Sequence, residues 1–151
     1  QWQKALPLLH HMKQRAVQPN AFTFGAAISA CETGGQWQRA LQLMDQMKAC
    51  NVHPYVTTYN AAMGACSKEK QWQKTLELLD DMRWYKVYPE VHTYNAVISA
   101  CSRAEQWQRA LKLLDDMQWD EWYGVHPDVS TYNAAIGACS VAEQWQRALK
   151  L

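Results

Sequence analysis

Apolar residues recur at helical spacing in two alternating kinds of segment along the chain. In the segment 92–103, one stripe follows the offsets i, i+3, i+4 and i+7, and it consists of Tyr94, Val97, Ile98 and Cys101. A break at 104–105 follows, and a second stripe with the same offsets then consists of Trp107, Ala110, Leu111, Leu114 and Met117. Such stripes are typical of α-helices that bury one face. The pattern predicts a helical hairpin, with a helix A over 92–103 and a helix B over 107–117.

The hairpin pattern recurs along the whole chain at a nearly constant interval. Gln-Trp-Gln occurs five times, with its tryptophan at positions 2, 37, 72, 107 and 145, and prolines follow the same rhythm at 19, 54, 89 and 127. A fixed period in the range of about 20 to 50 residues indicates a repeat array. One hairpin is too small to bury its own apolar stripes, so neighbouring hairpins must stack. We therefore predict an all-α superhelix with the A helices in one layer and the B helices in the other.

The period divides the chain into five units. The end of one repeat, containing a B helix, is expected at residues 1–20, and the start of another at 129–151. Full repeats are expected at 21–55, at 56–90 and at 91–128, and the last of these has three extra residues. Because the pattern is already in progress at both ends, we expect the chain to be a piece of a longer array.

The three extra residues fall within the segment 118–124. There, Trp119, Trp122 and Tyr123 stand beside Asp120 and Glu121. Insertions in repeat arrays often form a binding face, and tryptophan and tyrosine side chains anchor protein interfaces. One interpretation is therefore a protein-contact site. The other is that helix B runs one turn longer and packs its aromatic side chains on the next repeat.

Helix A also carries a second stripe, which is made of short polar side chains and is turned away from the apolar stripe. In repeat 91–128 the polar stripe consists of His92, Asn95, Ser99, Ser102 and Arg103. The equivalent residues of the neighbouring repeats are Thr57, Asn60, Gly64, Ser67, Lys68, Ser130, Asn133, Gly137 and Ser140. An asparagine side chain both donates and accepts hydrogen bonds. On the inner curve of a superhelix, this stripe is suited to contact the extended backbone and the unstacked bases of a single-stranded nucleic acid.

Composition and motifs argue against an enzyme, a metal site and a membrane protein. The formal net charge is only +1, which disfavours a protein that coats polyanions unselectively. Four of the five cysteines lie on the apolar face of helix A once per repeat, as buried core thiols do. The sequence has no Cys-x-x-Cys motif, no zinc spacing, no nucleophile–base pair, and no apolar run near about 18 residues. We therefore predict a non-catalytic protein without a metal, a cofactor or direct membrane insertion.

Three motifs give the repeat a close resemblance to a known family. Val-x-Thr-Tyr-Asn opens helix A, Ala-Leu-x-Leu-Leu-x-x-Met lies on helix B, and Pro-Asp closes the unit. Together they resemble pentatricopeptide repeats. The resemblance implies a right-handed α-solenoid of about 35 residues per repeat that binds single-stranded RNA at about one base per repeat. It also implies an organellar location, in the chloroplast or the mitochondrion.

The resemblance assigns roles to particular positions of each repeat. In the family, the fifth and the last residue of a repeat contact the base edge, and the second residue sandwiches the base with its counterpart in the next repeat. The base-reading candidates carried over in this way are Asn60, Asn95, Asp128 and Asn133. The base-sandwich candidates are Thr57, His92 and Ser130.

The base-reading pairs differ from repeat to repeat. Asn95 with Asp128 matches the family's pyrimidine-type pair, with uracil preferred. In the preceding repeat, Asn60 is paired with Glu90, whose acidic side chain is longer than that of an aspartate. In repeat 21–55 the fifth residue is a glycine, which has no side chain to read a base; the last residue there is a tyrosine, and Phe22 occupies the sandwich position.

Two functions from different classes are consistent with the sequence. The first is the binding of single-stranded organellar RNA in RNA processing, stability or translation. The second is a non-catalytic scaffold that holds protein subunits of an organellar assembly, such as a photosystem, a ribosome or a respiratory complex. The family resemblance favours the first function, whereas the nearly neutral charge and the uneven base-reading pairs favour the second.

Overall fold

A computed structural model describes residues 2–119 and 124–141 of the chain. These residues form eight α-helices of 13 residues each and contain no β-strand. The helices are α1 Trp2–Gln14, α2 Ala21–Thr33, α3 Trp37–Ala49, α4 Val56–Lys68, α5 Trp72–Trp84, α6 Val91–Arg103, α7 Trp107–Trp119 and α8 Val129–Val141. None of the described helices is long and apolar enough to span a membrane. The two predicted helix types alternate, with α2, α4, α6 and α8 as A helices and the others as B helices.

The helices stack in two layers. The helices α2, α4 and α6 each pack against the next A helix, against their own B helix and against the B helix before them. Within the described residues, the B helices do not pack closely on one another. Alanine, glycine and serine on the A helices permit this close A-to-A approach. The A helices therefore form the inner, concave layer, and the prediction of an all-α solenoid is confirmed.

The predicted apolar stripes of the A helices form most of the core. In α6, Tyr94, Val97, Ile98 and Cys101 are all fully buried. The equivalent residues of α2 and α4 are buried as well, and they are Phe24, Ala27, Ile28, Cys31, Tyr59, Ala62, Met63 and Cys66. In α8, Ala135 and Cys139 are buried, whereas Ile136 is exposed. The helices α4 and α6 are thus core elements of the stack, since each packs against two A helices and two B helices.

The stripe predicted for the B helices needs a correction. Leu111 and its counterparts Leu41 and Leu76 are only half-buried at the edge of the core, whereas the leucines two residues later are buried. Those buried leucines are Leu43, Leu78 and Leu113. A B helix packs between its own A helix and the next one, so its apolar face is wider than a single stripe.

Recurrent turns end the helices and keep the register from repeat to repeat. After α2, α4 and α6 one residue adopts the left-handed conformation, and these residues are Gly35, Lys70 and Glu105. The next backbone N–H then donates a hydrogen bond of 2.9 Å to a carbonyl five residues earlier, as in Gln71 to Cys66. The bounds differ slightly from the prediction. α6 begins at Val91, one residue early, because Glu90 is its N-cap, and α7 continues to Trp119.

Candidate nucleic-acid interface

A capping box orients the first turn of three of the A helices. In α8, the Thr131 N–H donates to Asp128 Oδ1 at 2.8 Å, and the Asp128 N–H donates to Thr131 Oγ1 at 3.1 Å. The same reciprocal arrangement joins Glu90 with Thr93 in α6 and Asn20 with Thr23 in α2. The last residue of a repeat is therefore the N-cap of the next A helix, and its side chain is held at a defined place.

A second set of hydrogen bonds links the capping box of α8 to Asn95 on α6. Thr131 Oγ1 lies 2.6 Å from Asn95 Oδ1, and Asn95 Nδ2 donates to Asp128 Oδ1 at 3.2 Å. The same hydroxyl also lies 2.8 Å from Asp128 Oδ1. The amide of Asn95 is thereby oriented, with its oxygen toward Thr131 and its nitrogen toward Asp128. The predicted base-reading pair of repeat 91–128 is brought together.

Hydrogen bonds also stabilise the ionised form of the Asp128 carboxyl. The backbone N–H of Thr131 lowers the pKa of the Asp128 carboxyl, and the Thr131 hydroxyl and the Asn95 amide lower it further. Donors that bind the ionised form of a carboxyl stabilise its charge. Asp128 is exposed and ionised at neutral pH, so it presents a hydrogen-bond acceptor beside the donor of Asn95.

The base-reading pair and the sandwich candidates of this repeat line one groove. Its volume is about 490 Å³, and its lining residues are Val91, His92, Asn95, Ala96, Ser99, Asp128 and Ser130. Donor and acceptor groups therefore lie between His92 on α6 and Ser130 on α8, both of which are exposed. A flat polar ring in this groove would meet hydrogen-bonding groups at its edge and side chains from two neighbouring repeats on its faces.

The preceding repeat has part of the same arrangement. The Thr93 hydroxyl donates to Asn60 Oδ1 at 2.8 Å, as its counterpart does one repeat later, so the amide of Asn60 is oriented in the same way. Thr57 is exposed, and it lines a second groove of about 740 Å³ together with Glu90. This groove extends along the loops before α4 and α6, where its walls are mostly apolar.

Three further residues discussed in the sequence analysis lie on or beside α8, α2 and α4. Asn133 is exposed on α8, in the register of the other two asparagines. Phe22 is exposed on the first turn of α2, and Tyr55 is exposed at the N-cap of α4. The side chain of Trp119 and the residues Trp122 and Tyr123 lie outside the described residues. Both interpretations of the inserted segment therefore stay predictions.

Sequence reasoning missed the threonine at the third position of each repeat. The set comprises Thr23, Thr58, Thr93 and Thr131. Thr93 and Thr131 each join an N-cap to the asparagine of the preceding repeat. The signal was available in the sequence, because the threonine recurs in all four A helices and the asparagine of the Val-x-Thr-Tyr-Asn motif in three.

Basic side chains at the ends of two A helices form a further contact between repeats. Lys68 Nζ donates to the carbonyl oxygen of Glu32 at 3.0 Å, and an Arg103 guanidinium nitrogen donates to the carbonyl oxygen of Ser67 at 3.3 Å. Each cation thus lies at the C-terminus of the preceding A helix, where the helix dipole favours positive charge. Both side chains are exposed at the end of the polar stripe opposite the N-caps.

The described residues offer little for chemical catalysis. No group of three or more histidine, cysteine or acidic side chains among them could hold a metal ion. Burial raises the pKa of the Cys66 and Cys101 thiols to about 11, so these thiols are protonated and unreactive at neutral pH.

Two family models match the chain over most of its length. The PPR repeat family matches residues 54–103 and 89–141, and the pentatricopeptide repeat domain matches residues 7–69. No curated protein sequence matches the chain significantly.

Solved pentatricopeptide structures superpose well on the chain. The crystal structure of the pentatricopeptide repeat protein PPR10 from maize is 28% identical with a TM-score of 0.81, and the match covers 99% of this chain and 21% of that one. PPR10 in complex with an 18-nt psaJ RNA element is 29% identical with a TM-score of 0.75, over 83% of this chain and 18% of that one.

A third structure supports the fold alone. It is the PPR domain of Arabidopsis thaliana protein-only RNase P 1 in complex with tRNA, which is 15% identical with a TM-score of 0.80, over 99% of this chain and 79% of that one. The chain spans about a fifth of the length of PPR10. Motifs, helix register and family matches agree, and the chain belongs to the pentatricopeptide repeat family.

Proposed function

We propose that this chain binds single-stranded RNA along the concave layer of A helices, with about one base facing each repeat. One observation carries the proposal: Asn95 and Asp128 are held together by Thr131 at the edge of a groove that His92 and Ser130 also line. Single-stranded RNA can unstack its bases into such grooves and expose their edges to side chains. The similarity to PPR10, which is solved in complex with RNA, supports the same interpretation.

Hydrogen-bond complementarity favours uracil opposite repeat 91–128. Asp128 is an ionised acceptor, and the Asn95 amide nitrogen has a second N–H besides the one given to Asp128. Uracil offers an N–H donor between two carbonyl acceptors, which matches one acceptor beside one donor. Cytosine has a lone pair in place of that N–H, so a carboxylate facing it would be repelled. We therefore assign uracil preference to this pair.

Phosphate contacts are proposed for Lys68 and Arg103. Each already donates one hydrogen bond to a main-chain carbonyl, and each retains further N–H donors on an exposed side chain. With 15 Lys and Arg against 14 Asp and Glu, the chain has a formal net charge of only +1 and thus little excess positive charge for the backbone of a nucleic acid. Two phosphate contacts would give a slope of about −1.4 in log K against log salt for a single strand.

The roles of individual residues are proposed from the positions that have these roles in the family. We propose Asn60, Asn95, Asp128 and Asn133 as base-reading residues and Thr57, His92 and Ser130 as base-sandwich residues. We also propose a non-catalytic role in the processing, stability or translation of an RNA in a chloroplast or mitochondrion. The support for these assignments is the shared register of the residues on the A helices.

A specific observation favours a second candidate function, a scaffold for protein subunits of an organellar assembly. Trp84, Tyr85 and Tyr88 are exposed at the end of α5 and in the loop that follows it. Exposed aromatic side chains of this kind anchor protein interfaces. The protein contact that the sequence predicts at Trp119, Trp122 and Tyr123 belongs to the same candidate function.

Binding of a labelled uracil-rich RNA octamer, followed by fluorescence anisotropy at low salt, tests the RNA proposal. We expect saturable binding, with a preference of about tenfold for uracil over adenine at one position of the strand. Asp128→Asn should remove the preference without weakening the helix, because asparagine is an equally good N-cap. Asp80→Asn makes the same charge change on the exposed face of α5 and serves as the control.

Two results would count against RNA binding. The first is the absence of saturable binding at low salt for uracil-rich and adenine-rich strands alike. The second is an equal effect of Asp128→Asn and Asp80→Asn on the choice between uracil and adenine. If RNA binding were absent, loss of a co-purifying protein partner on Trp84→Ala would support the scaffold function instead.

A further inference from the structure

The polar stripe of the A helices contains a single acidic residue, and that residue belongs to α2. Because α2 begins at residue 21, α4 at 56 and α6 at 91, Glu32 has the register of Ser67 and Ser102. At the positions of the stripe, the other three A helices carry only neutral or basic residues. The positions of the stripe in α2 are Phe22, Gly25, Ser29, Glu32 and Thr33. Glu32 therefore adds a negative charge where the later repeats have a serine.

The Glu32 carboxylate lies against the main chain of the next A helix. A Cβ atom added to Gly64 on α4 would lie 2.8 Å from the Glu32 carboxyl carbon, so the carboxylate occupies space that a larger residue 64 would need. The equivalent place beside Gly137 on α8 is next to the Ser102 hydroxyl, which would lie 3.7 Å from such an atom. The carboxylate thus extends across the boundary between α2 and α4, whereas the boundary between α6 and α8 has only a short hydroxyl.

The same boundary holds Lys68, one of the two cations proposed to contact phosphate. Lys68 Nζ donates to the main-chain oxygen of Glu32 at 3.0 Å, and Gly64 lies one helical turn before Lys68 on α4. The ammonium and the carboxylate are therefore held on the same part of the stripe, at the C-terminus of α2. Among the described residues the Glu32 carboxylate has no ion-pair partner, so no direct contact neutralises its charge.

Arg103 makes the matching contact at the next boundary, where the partner residue is neutral. Its guanidinium donates to the main-chain oxygen of Ser67 at 3.3 Å. The Ser67 side chain is buried and uncharged, in the register where α2 has the carboxylate of Glu32. The two cations thus have the same main-chain contact, and the residue that accepts it is acidic in one case and neutral in the other. This pair provides an internal comparison within the chain.

We propose that the Glu32 carboxylate weakens the phosphate contact of Lys68 and so limits the affinity of the chain for single-stranded RNA. The inference rests on the proposed RNA binding and assigns an opposing effect on it to one residue. A phosphate that approaches the Lys68 ammonium also approaches the carboxylate, and like charges repel each other within a screening length of about 10 Å at moderate salt. The slope of log K against log salt for the wild type should therefore lie between about −0.7, the value for one contact, and about −1.4.

RNA binding by the variant Glu32→Gln tests the inference with the complete chain. Glutamine keeps the length of the side chain and removes its charge, while the main-chain oxygen that Lys68 contacts stays in place. With a labelled uracil-rich octamer in fluorescence anisotropy, we expect the affinity to rise about two- to fivefold at low salt and the gain to shrink as salt is added. The salt slope should steepen by up to about 0.7. Glu32→Ser, which copies the serine of the later repeats, should give the same gain.

Matched variants separate a local effect from a change in net charge. Glu77→Gln makes the same change on an exposed side chain of the B helix α5 and should alter the affinity less than about 1.5-fold. Combining Glu32→Gln with Lys68→Ala should remove most of the gain, because the phosphate then has no cation beside residue 32. Combining it with Arg103→Ala should preserve the gain. Circular dichroism of each variant verifies that the helices are retained.

The outcomes separate this inference from the function on which it rests. If RNA binds but Glu32→Gln gains no more affinity than Glu77→Gln, the inference is wrong and RNA binding stands. The same holds if the gain is equal with and without the Lys68 ammonium. A loss of affinity in Glu32→Gln would also overturn the inference, since the carboxylate would then accept a hydrogen bond from the strand. If no strand binds to the wild type or to Glu32→Gln, both the inference and the proposed function fail.

Discussion

At the scale of single residues, the threonine in the third position of each repeat connects stability with recognition. Thr93 accepts a hydrogen bond from the N-cap of its own helix and donates one to Asn60 of the preceding repeat. It is fully buried, so its hydroxyl cannot exchange these partners for water. Removal of the hydroxyl would leave the Glu90 N–H and the Asn60 amide oxygen, both in partly buried hydrogen bonds, without this partner, which costs free energy beyond the loss of the bonds.

Thr93→Val keeps the shape of the side chain and removes only the hydroxyl. We expect the free energy of unfolding to fall by about 1–3 kcal/mol. Urea unfolding followed by circular dichroism measures the change. Thr33→Val is the matched control, because Thr33 is exposed and its hydroxyl bonds only a carbonyl of its own helix. Equal losses of stability in the two variants would show that the hydroxyl of Thr93 contributes no more than that of Thr33.

The buried thiols of Cys66 and Cys101 make stability depend on pH in the alkaline range. Burial raises the pKa of each from 9.0 to about 11. The unfolded chain therefore releases these protons at lower pH than the folded chain does, and stability is lost as pH rises from about 9 to about 11. Between pH 8 and pH 10, each thiol should lower the free energy of unfolding by about 1 kcal/mol.

Urea unfolding at pH 8 and pH 10 in the presence of a reductant measures this loss. The double variant Cys66→Ala/Cys101→Ala should show a smaller decrease between the two pH values than the wild type. An equal decrease in both proteins would mean that other groups account for the alkaline destabilisation.

Part of the candidate site could be predicted from single residues, and part could not. The pairing of Asn95 with Asp128 followed from motif positions, and the two side chains are joined by a hydrogen bond. The role of Thr131 was missed, because a threonine at the third helical position of a sequence indicates only a local capping box. Its bond to Asn95 depends on how closely α6 and α8 approach each other, which no single repeat encodes.

At the scale of elements, the turn after each A helix keeps the hairpins alike although its sequence varies. The left-handed residue is Gly35 in one repeat, Lys70 in the next and Glu105 in the third. This conformation is easy for glycine, but it costs other residues roughly 1 kcal/mol because Cβ crowds the backbone. The repeats therefore tolerate different residues at the same backbone conformation, at different cost.

Removing a glycine from this turn and introducing one are expected to have opposite effects on stability. Gly35→Ala should lower the free energy of unfolding by about 1 kcal/mol, since φ is 65° and the added Cβ would lie 3.2 Å from Glu69 Oε1. Lys70→Gly should raise it by about 0.5–1 kcal/mol, and Lys70→Ala separates the loss of the side chain from the gain of flexibility. Thermal unfolding measures all three variants, and a loss of stability on Lys70→Gly would contradict the argument.

The elements were largely predictable from the period, and the exceptions have a physical cause. Helical periodicity predicted the A-helix stripe, which is buried in α2, α4 and α6. The buried row of Leu43, Leu78 and Leu113 was not predicted. A prediction of one apolar stripe per helix assumes that the helix packs against only one other helix. The helices α3, α5 and α7 each have an A helix on both sides, so a second row of leucines is buried as well.

At the scale of the whole molecule, polar contacts between repeats reinforce the apolar stack. Lys48 on α3 forms an ion pair with Asp81 on α5, and the Tyr59 hydroxyl on α4 donates to the same carboxylate at 2.8 Å. Burial together with the hydrogen bond to Asp81 raises the pKa of Tyr59, so the phenol stays protonated. Three helices from two repeats thus meet at one carboxylate.

Neighbouring acidic residues allow a matched test of this junction. Asp81→Ala should lower the free energy of unfolding by about 1–3 kcal/mol, because it leaves a half-buried ammonium and a buried phenol without their acceptor. Asp80→Ala should change it by less than about 0.5 kcal/mol, since Asp80 is exposed and its ion pair with Arg83 lies on the surface. Urea unfolding gives both values, and equal losses would show that the junction adds nothing to the stack.

The central claim is that single-stranded RNA lies along the concave layer of A helices. Photo-crosslinking of a 4-thiouridine RNA octamer, with mass spectrometry of the attached peptides, tests this claim most directly. The predicted result is attachment to peptides from the polar stripe of α4, α6 and α8, and its loss when unlabelled uracil-rich strand competes. Attachment confined to the B helices, or to the aromatic segment at the end of α5, would contradict it.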